Sequence, residues 1–224
     1  MSKHGNGFTA TTFDFFADLE ANNDKEWFNA HRSTYTEYAR DPFAALLEEL
    51  TDRLANTAMA VKGDSSTMFR INRDVRFSKD KRPYSESVSG LMTPTGTKDE
   101  SGPLLYLQVD AGGGRCGGGM YRPKANQLGP VRRRMVDEPD DWSGVLDTLS
   151  GHGLVIETED QVKTMPRGFA DHHDHQHAEH VRCNQLLVMA EIPKTAFLDD
   201  SAADRIVDAA VGLSGLYEFI ARAQ

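Results

Sequence analysis

The sequence predicts an α+β fold, with N-terminal helices, a central and mainly antiparallel sheet with hairpins, and a C-terminal helix. Apolar residues recur at helical spacing through residues 1–62 and again over Asp204–Ala223. Short runs of alternating apolar residues lie between these two helical ends. Strands and helices do not alternate regularly, which argues against a parallel sheet.

Three helices are predicted at the N terminus from their caps. Thr12 is the predicted cap of the first helix, which ends at Asn22. Asp24 is the predicted cap of the second helix. Asp41 followed by Pro42 predicts a cap and a first helical residue for the third helix, because proline is favoured at that position.

Strands are predicted in the middle of the chain. Thr67–Phe77 is rich in Phe, Ile and Val, and Leu104–Asp110 alternates clearly. A turn at residues 112–114 predicts a hairpin between Leu104–Asp110 and Cys116–Tyr121. The remaining predicted elements are a second hairpin of Leu154–Glu157 with Gln161–Thr164, a helix capped by Asn126 that runs through Val136, and a helix over Pro139–Gly151. His173–Ala190 could be helical in part, although Leu186–Ile192 would also suit a strand.

Composition restricts the classes of protein. The 224 residues show no linker, so we expect a single domain over 1–224, helical over 1–62 and mixed over 63–224. A net charge of -9 argues against general binding to nucleic acid or anionic membranes, although residues 70–82 could form a local basic patch. Only two cysteines, no secretory signal and no apolar run of membrane-spanning length predict a cytoplasmic protein. The oligomeric state stays open.

The charged segment Arg70–Tyr84, here called the arginine motif, is the main candidate for a site. On a strand, Arg73 would interrupt an apolar face, while Arg70, Asp74 and Arg76 would share the other face. That second face carries surplus positive charge, which suits a phosphate or carboxylate of a small molecule. The predicted ligand-binding residues are Arg70, Arg73, Arg76 and Lys81, and the candidates for acid/base catalysis are Asp74, Asp80 and Tyr84.

The alternative interpretation makes the arginine motif an internal network of salt bridges. Buried or partly buried charges are normally paired with other protein groups, so Asp74 and Asp80 could satisfy the arginines. The protein would then be a non-catalytic structural or protein-interaction domain. The residues alone do not decide between an enzyme and a binding protein, and they require no cofactor.

Several motifs together resemble a known family. The core Arg-x-x-Arg-Asp-x-Arg-Phe is followed by Asp80, Lys81 and Tyr84. The other similar segments are Phe15-Phe16, Asn22-Asn23, Lys25–Phe28, Gly118-Gly119 with Tyr121 and Pro123, Arg132 or Arg133, and Pro166–Phe169. This pattern resembles the mostly bacterial family called domain of unknown function 2461. The resemblance implies a bacterial protein and brings no activity, substrate or cofactor with it.

A histidine-rich segment follows Phe169, where the chain departs from that family pattern. Five histidines lie within residues 172–180. On a helix, His173, His177 and His180 would share a face and could bind zinc or nickel. The other interpretation is an exposed surface turn, because histidine is commonly at least partly exposed.

Overall fold

The computed structural model describes residues 7–98 and 102–223 and confirms the α+β prediction. The sheet has four strands in the order β1-β2-β3-β4: Ser87–Met92, Leu105–Asp110, Gly113–Met120 and Leu186–Pro193. The helices are α1 Ala10–Ala21, α2 Lys25–Ala30, α3 Arg32–Tyr35, α4 Asp41–Leu54, α5 Ala125–Asp137, α6 Pro139–Gly151, α7 Ala178–Arg182, α8 Lys194–Leu198, α9 Ala202–Gly212 and α10 Ser214–Ala223. Thr36–Arg40 is π-helical and Ala170–His172 forms a 3₁₀ turn.

The first helix begins earlier than predicted. Thr9 holds the capping position, and the side chain of Thr12 accepts a hydrogen bond from the Thr9 backbone nitrogen at 3.2 Å. The Thr12 hydroxyl also donates to the Tyr38 carbonyl at 2.5 Å and is fully buried. Thr12 therefore ties α1 to the π-helical segment instead of capping the helix. The predicted cap Asp24 is confirmed, since its carboxylate accepts from the Trp27 nitrogen at 2.9 Å.

The third predicted helix has no separate start. The backbone is already helical at Arg40, so Asp41 is the first residue of α4 and not a cap outside it. Pro42 fits the first turn, where its missing N–H leaves no hydrogen bond unmade. The predicted apolar stripe is confirmed, because its members are all buried: Phe43, Leu46, Leu47, Leu50 and Leu54.

Strands β1 and β2 pair antiparallel, from Ser87 opposite Asp110 to Met92 opposite Leu105. In β2 the residues Leu105, Leu107 and Val109 are buried and their neighbours are partly exposed, as the alternation predicts. β2 and β3 are neighbours and are joined by Ala111-Gly112, so the predicted first hairpin forms with a turn that ends before Gly113.

One hairpin predicted for the second half of the chain does not form. The segments 154–157 and 161–164 do not pair with each other, because Ile156 bridges to Val188 and Gln161 bridges to Cys183. The predicted C-terminal helix is confirmed, with an interruption at Leu213 that divides it into α9 and α10. Gly212 precedes this interruption and allows His152 to pack closely against the helix, since a Cβ atom on Gly212 would lie 2.9 Å from the His152 side chain.

The chain divides into two compact units. The first unit contains residues up to 116 together with 191–207, and the second contains residues 117–190 together with 208–224. Phe13, Phe16 and Phe43 are buried in the first unit, and Trp142 and Met135 are buried in the second. The single domain with a boundary at residue 62 stays a prediction. None of the helices described here has both the length and the apolar character needed to cross a membrane.

Candidate functional site

The arginine motif is an irregular, largely exposed loop, so the predicted strand Thr67–Phe77 is wrong. Only isolated bridges form, between Met68 and Gly90 and between Asn72 and Tyr84. The carboxylate of Asp74 accepts a hydrogen bond from the Arg76 nitrogen at 3.2 Å. Such a local side-chain bond offers the backbone an alternative to strand pairing. Residues 72–84, closed by the bridge between Asn72 and Tyr84, are called the motif loop below.

Arg73 does not point into an apolar core. Its side chain is 31% exposed, and its Nη1 donates to Asp80 Oδ2 at 2.8 Å and to the Arg82 carbonyl at 3.0 Å. The apolar face predicted around it does not exist, because Phe69 and Phe77 are both exposed. Arg73 instead spans the motif loop and lines an open cleft.

Asp80 is the centre of the ion pairs within the motif loop. Arg82 binds it through Nε and Nη2, the latter at 2.9 Å, and the Arg82 backbone nitrogen also donates to it. These hydrogen bonds, followed by the one from Arg73, hold the pKa of Asp80 well below its usual range. Arg82 also pairs with Glu86. Asp80 therefore remains a carboxylate near neutral pH, where it cannot act as a proton donor.

Asp74 and Arg76 form a second, separate pair. The Arg76 guanidinium donates through Nε and Nη2 to the two carboxylate oxygens, at 2.9 Å and 2.6 Å. This hydrogen bonding lowers the pKa of Asp74. The Arg76 side chain is 77% exposed and does not line the cleft. The pair consequently stabilises the loop locally.

Tyr84 closes the arginine motif and is buried. Its ring stacks on Phe28 with 4.0 Å between ring centroids and 19° between ring planes. Asn23 binds both backbone groups of Tyr84, since its Oδ1 accepts from the nitrogen and its Nδ2 donates to the carbonyl, each at 3.0 Å. Asn23, which lies in the turn between α1 and α2, thus anchors the end of the motif loop.

A polar cleft of about 500 Å³ lies beside these residues in the first unit. Of the predicted site residues, Arg73, Asp80 and Tyr84 line it, whereas Arg70, Asp74, Arg76 and Lys81 do not. Lys81 donates to the Val75 carbonyl at 2.9 Å and so supports the loop. The remaining lining residues are Phe16, Glu20, Arg82, Ser85, Glu86, Ser87, Gln108, Asp110, Ala111, Gly112 and Arg115.

Arg115 is the functional candidate that the sequence analysis missed. It is exposed on β3, and its guanidinium makes no hydrogen bond or ion pair with any residue in 7–98 or 102–223. Gly113 and Gly114 precede Arg115, and neither position has room for a side chain. A Cβ atom on Gly113 would lie 2.6 Å from the Ile192 carbonyl oxygen, and one on Gly114 would lie 2.6 Å from the Phe197 ring. The sequence offered one signal for Arg115: it is the single charged residue within the glycine-rich run Gly112–Gly119.

The cleft contains charges of both signs. Arg73, Arg82 and Arg115 face four carboxylates, which belong to Glu20, Asp80, Glu86 and Asp110. Asp110 accepts from the Gln108 amide at 3.0 Å and from the Gly112 nitrogen at 2.9 Å. Most of these charges are therefore already paired or hydrogen bonded within the protein.

The two cysteines are not activated nucleophiles. Both are buried, and burial is the main cause that raises the pKa of Cys116 to about 12 and that of Cys183 to about 11. A thiol with a raised pKa is protonated at neutral pH, and only the thiolate is a strong nucleophile.

The histidine-rich segment does not form the helix on which its metal site was predicted. Helix α7 begins at Ala178, so the exposed His173 lies outside it and pairs with Asp174. His177 is buried with its Nε2 at 2.9 Å from the Pro139 carbonyl, and His180 Nδ1 accepts from Trp142 Nε1 at 3.3 Å. Within the described residues, no three His, Cys, Asp or Glu side chains are placed to hold one metal ion.

Comparison with known proteins agrees with the resemblance of the sequence motifs. No curated protein matches the chain. Residues 11–219 match the family described as conserved hypothetical protein (DUF2461). This match covers most of the 224 residues and includes the arginine motif, the cleft and the glycine-rich strand. The chain therefore belongs to the family called domain of unknown function 2461.

Proposed function

We propose that the cleft binds a small molecule through an anionic group, either a phosphate or a carboxylate. The observation that carries this proposal is Arg115, whose guanidinium lines the cleft without a partner among residues 7–98 and 102–223. Arg73 lines the same cleft, and its Nε and Nη2 donors make no hydrogen bond with the described residues. Guanidinium groups bind carboxylate and phosphate through paired N–H donors.

The acidic residues of the cleft restrict how such a ligand can bind. Asp80 and Glu86 are occupied by Arg73 and Arg82, so they neutralise those arginines in part. Of the three arginines that line the cleft, Arg115 is the one that no ion pair with the described residues neutralises. The anionic group should therefore lie at Arg115 and the free side of Arg73.

The rest of the ligand should be polar. The polar residues Ser85, Ser87 and Gln108 line the cleft beside the charged groups. A volume of about 500 Å³ falls within the range of small-molecule sites. These features support a compact ligand rich in hydroxyl or amide groups more than an apolar one.

A second candidate function has its own support. The pairs Arg73–Asp80, Arg82–Asp80 and Arg82–Glu86 form the kind of network that a structural or protein-interaction domain would use. Under this alternative the arginines hold the motif loop in place and bind no ligand. Arg115 is then simply an exposed, solvated side chain.

Thermal unfolding in the presence of ligands tests the first candidate against the second. Inorganic phosphate, succinate and a nucleoside monophosphate are suitable probes, with wild-type protein and the variants Arg115→Gln and Arg73→Gln. At a hundred times Kd a ligand stabilises by about 2.7 kcal/mol, which raises Tm by roughly 5–11 °C for a chain of this size. We expect Arg115→Gln to abolish the shift and to leave the Tm without ligand unchanged.

Arg76→Gln is the matched control, because Arg76 belongs to the same motif, is exposed and lies outside the cleft. It should keep the full ligand response. A ligand shift that is equal in wild type and Arg115→Gln would reject the proposed site. No shift with any probe, together with a lower Tm for Arg73→Gln, would favour the structural alternative.

A further inference from the structure

Phe77 lies in the motif loop and is 95% exposed. A large aromatic side chain so exposed is informative, because phenylalanine is among the residues most often fully buried. Its one ring contact among the described residues is with Arg76, whose guanidinium carbon lies 5.9 Å from the ring centroid. The ring is therefore available to a partner.

Hydrogen bonds within the motif loop hold the backbone on both sides of Phe77. The Arg73 nitrogen donates to the Pro83 carbonyl at 2.8 Å, and the Arg73–Asp80 ion pair crosses the loop. Lys81, which follows Phe77 in the sequence, donates through Nζ to the carbonyl of Val75, which precedes it, at 2.9 Å. A loop closed by its own hydrogen bonds loses less conformational freedom when it binds a partner.

The arginine motif is also strongly basic. Residues 70–82 contain six basic and two acidic side chains in a chain whose net charge is -9. Arg70 and Lys79 are exposed and make no hydrogen bond or ion pair with the described residues. Because the Debye length is about 8 Å at physiological ionic strength, a partner at the loop responds mainly to this local charge.

We infer that the motif loop binds single-stranded nucleic acid, with a base stacked on Phe77 and phosphates held by two unpaired cations, Lys79 in the loop and Arg70 just before it. Stacking on an aromatic ring needs only an accessible ring face and does not depend on the base. Cations beside such a ring bind the phosphate backbone of the same strand. This inference goes beyond the proposed function, because it does not require Arg115 or the cleft.

Other classes of partner fit the loop less well. Apart from Phe77, residues 74–82 contain only one aliphatic side chain, Val75, so there is no apolar patch for a protein interface. One phenylalanine is likewise a weak anchor for a membrane, where stable binding needs a larger buried apolar area. An irregular loop also lacks the helix or ribbon that enters the major groove of a duplex.

Equilibrium binding of the full chain to a fluorescein-labelled oligothymidine tests the inference. Phe77→Ala should weaken binding about 5- to 150-fold, the range measured for loss of one stacked base. The logarithm of the affinity should fall with the logarithm of salt concentration, with a slope of about -0.7 for each phosphate contacted. Wild-type protein should bind the oligonucleotide whether or not phosphate, succinate or a nucleoside monophosphate shifts its Tm, which separates this result from the fate of the cleft.

Tyr121→Ala is the matched control for Phe77→Ala. Tyr121 is another exposed aromatic residue beside an arginine, with the Arg122 guanidinium 5.0 Å from its ring centroid, but it lies in the second unit. We expect it to leave oligonucleotide binding unchanged. No binding to wild type at low salt, or an equal effect of the two variants, would overturn the inference. Binding to phosphatidylserine vesicles without binding to the oligonucleotide would also overturn it.

Discussion

Replacing Tyr84 separates the structural role of its ring from a chemical role of its hydroxyl. The ring is 4% exposed and stacks on Phe28, while its backbone is bound by Asn23. Tyr84→Ala removes the ring and keeps both backbone hydrogen bonds. Tyr84→Phe removes only the hydroxyl, which makes no hydrogen bond with any side chain or backbone group in the described residues.

The structure gives different magnitudes for the two variants. Loss of a buried aromatic ring lowers the free energy of unfolding by about 3–5 kcal/mol, because the contacts of the ring are lost and a cavity remains. Loss of a hydroxyl without a protein partner should lower it by less than about 1 kcal/mol. The two variants should therefore differ by at least about 2 kcal/mol.

Urea denaturation of both variants measures this difference. Trp27 reports the first unit, since it lies 5.7 Å from the Phe15 ring within the same cluster of aromatic residues. With a slope near 3 kcal/mol/M, Tyr84→Ala should lower the urea midpoint by roughly 1–2 M. Equal losses in the two variants would refute the assignment of the stability to the ring. A stable Tyr84→Phe that no longer responds to ligand would instead give the hydroxyl a part in binding.

Two further predictions concern Asn23 and His180. Asn23→Ala leaves both backbone groups of Tyr84 without their partner, so we expect a loss of about 1–3 kcal/mol in urea denaturation; an unchanged midpoint would contradict this anchoring role. Burial lowers the pKa of His180, whose Nδ1 accepts from Trp142, so the unfolded chain binds a proton there at a higher pH than the folded chain does. The stability from the neutral imidazole should be complete above about pH 6.5 and decline as the pH falls below it, and His180→Gln should flatten this decline in the urea midpoint. The same pH dependence in both proteins would exclude His180 as its source.

Local signals in the sequence predicted much of the fold. Asp24 caps α2 through its own side chain, and Pro139 begins α6 as its preference for the first turn predicts. The alternation of Leu105, Leu107 and Val109 places one face of β2 in the core. Each of these features depends on residues that are a few positions apart in the sequence, so a local pattern was enough to predict it.

The failures depend on distant residues or on competing local bonds. Thr67–Phe77 has the composition of a strand, but Asp74 binds the Arg76 backbone and the chain pairs only at isolated bridges. The break between α9 and α10 coincides with the approach of His152 to Gly212. Neither position is marked by a pattern in its own segment.

Only part of the candidate site was predicted, because some of its residues are distant from the motif in the sequence. The motif contributed Arg73, Asp80 and Tyr84, which are close in sequence and meet in the cleft. Glu20 and Arg115 reach the cleft from α1 and β3, and no spacing in the sequence relates them to the motif. A single sequence therefore locates the motif but not the residues that complete its cleft.

The motif arginines and Arg115 differ in what their removal can reveal. Arg73 and Arg82 line the cleft and also hold Asp80, so replacing either changes the shape of the loop together with any ligand contact. The Arg115 side chain makes no hydrogen bond or ion pair with the described residues, and its replacement should alter the charge of the cleft alone. A loss of binding in Arg115→Gln at unchanged stability can therefore be assigned to the site, whereas the same loss in an Arg73 variant has two explanations. Arg115 lies outside the arginine motif, and its replacement is therefore the test that distinguishes a binding function from a structural one.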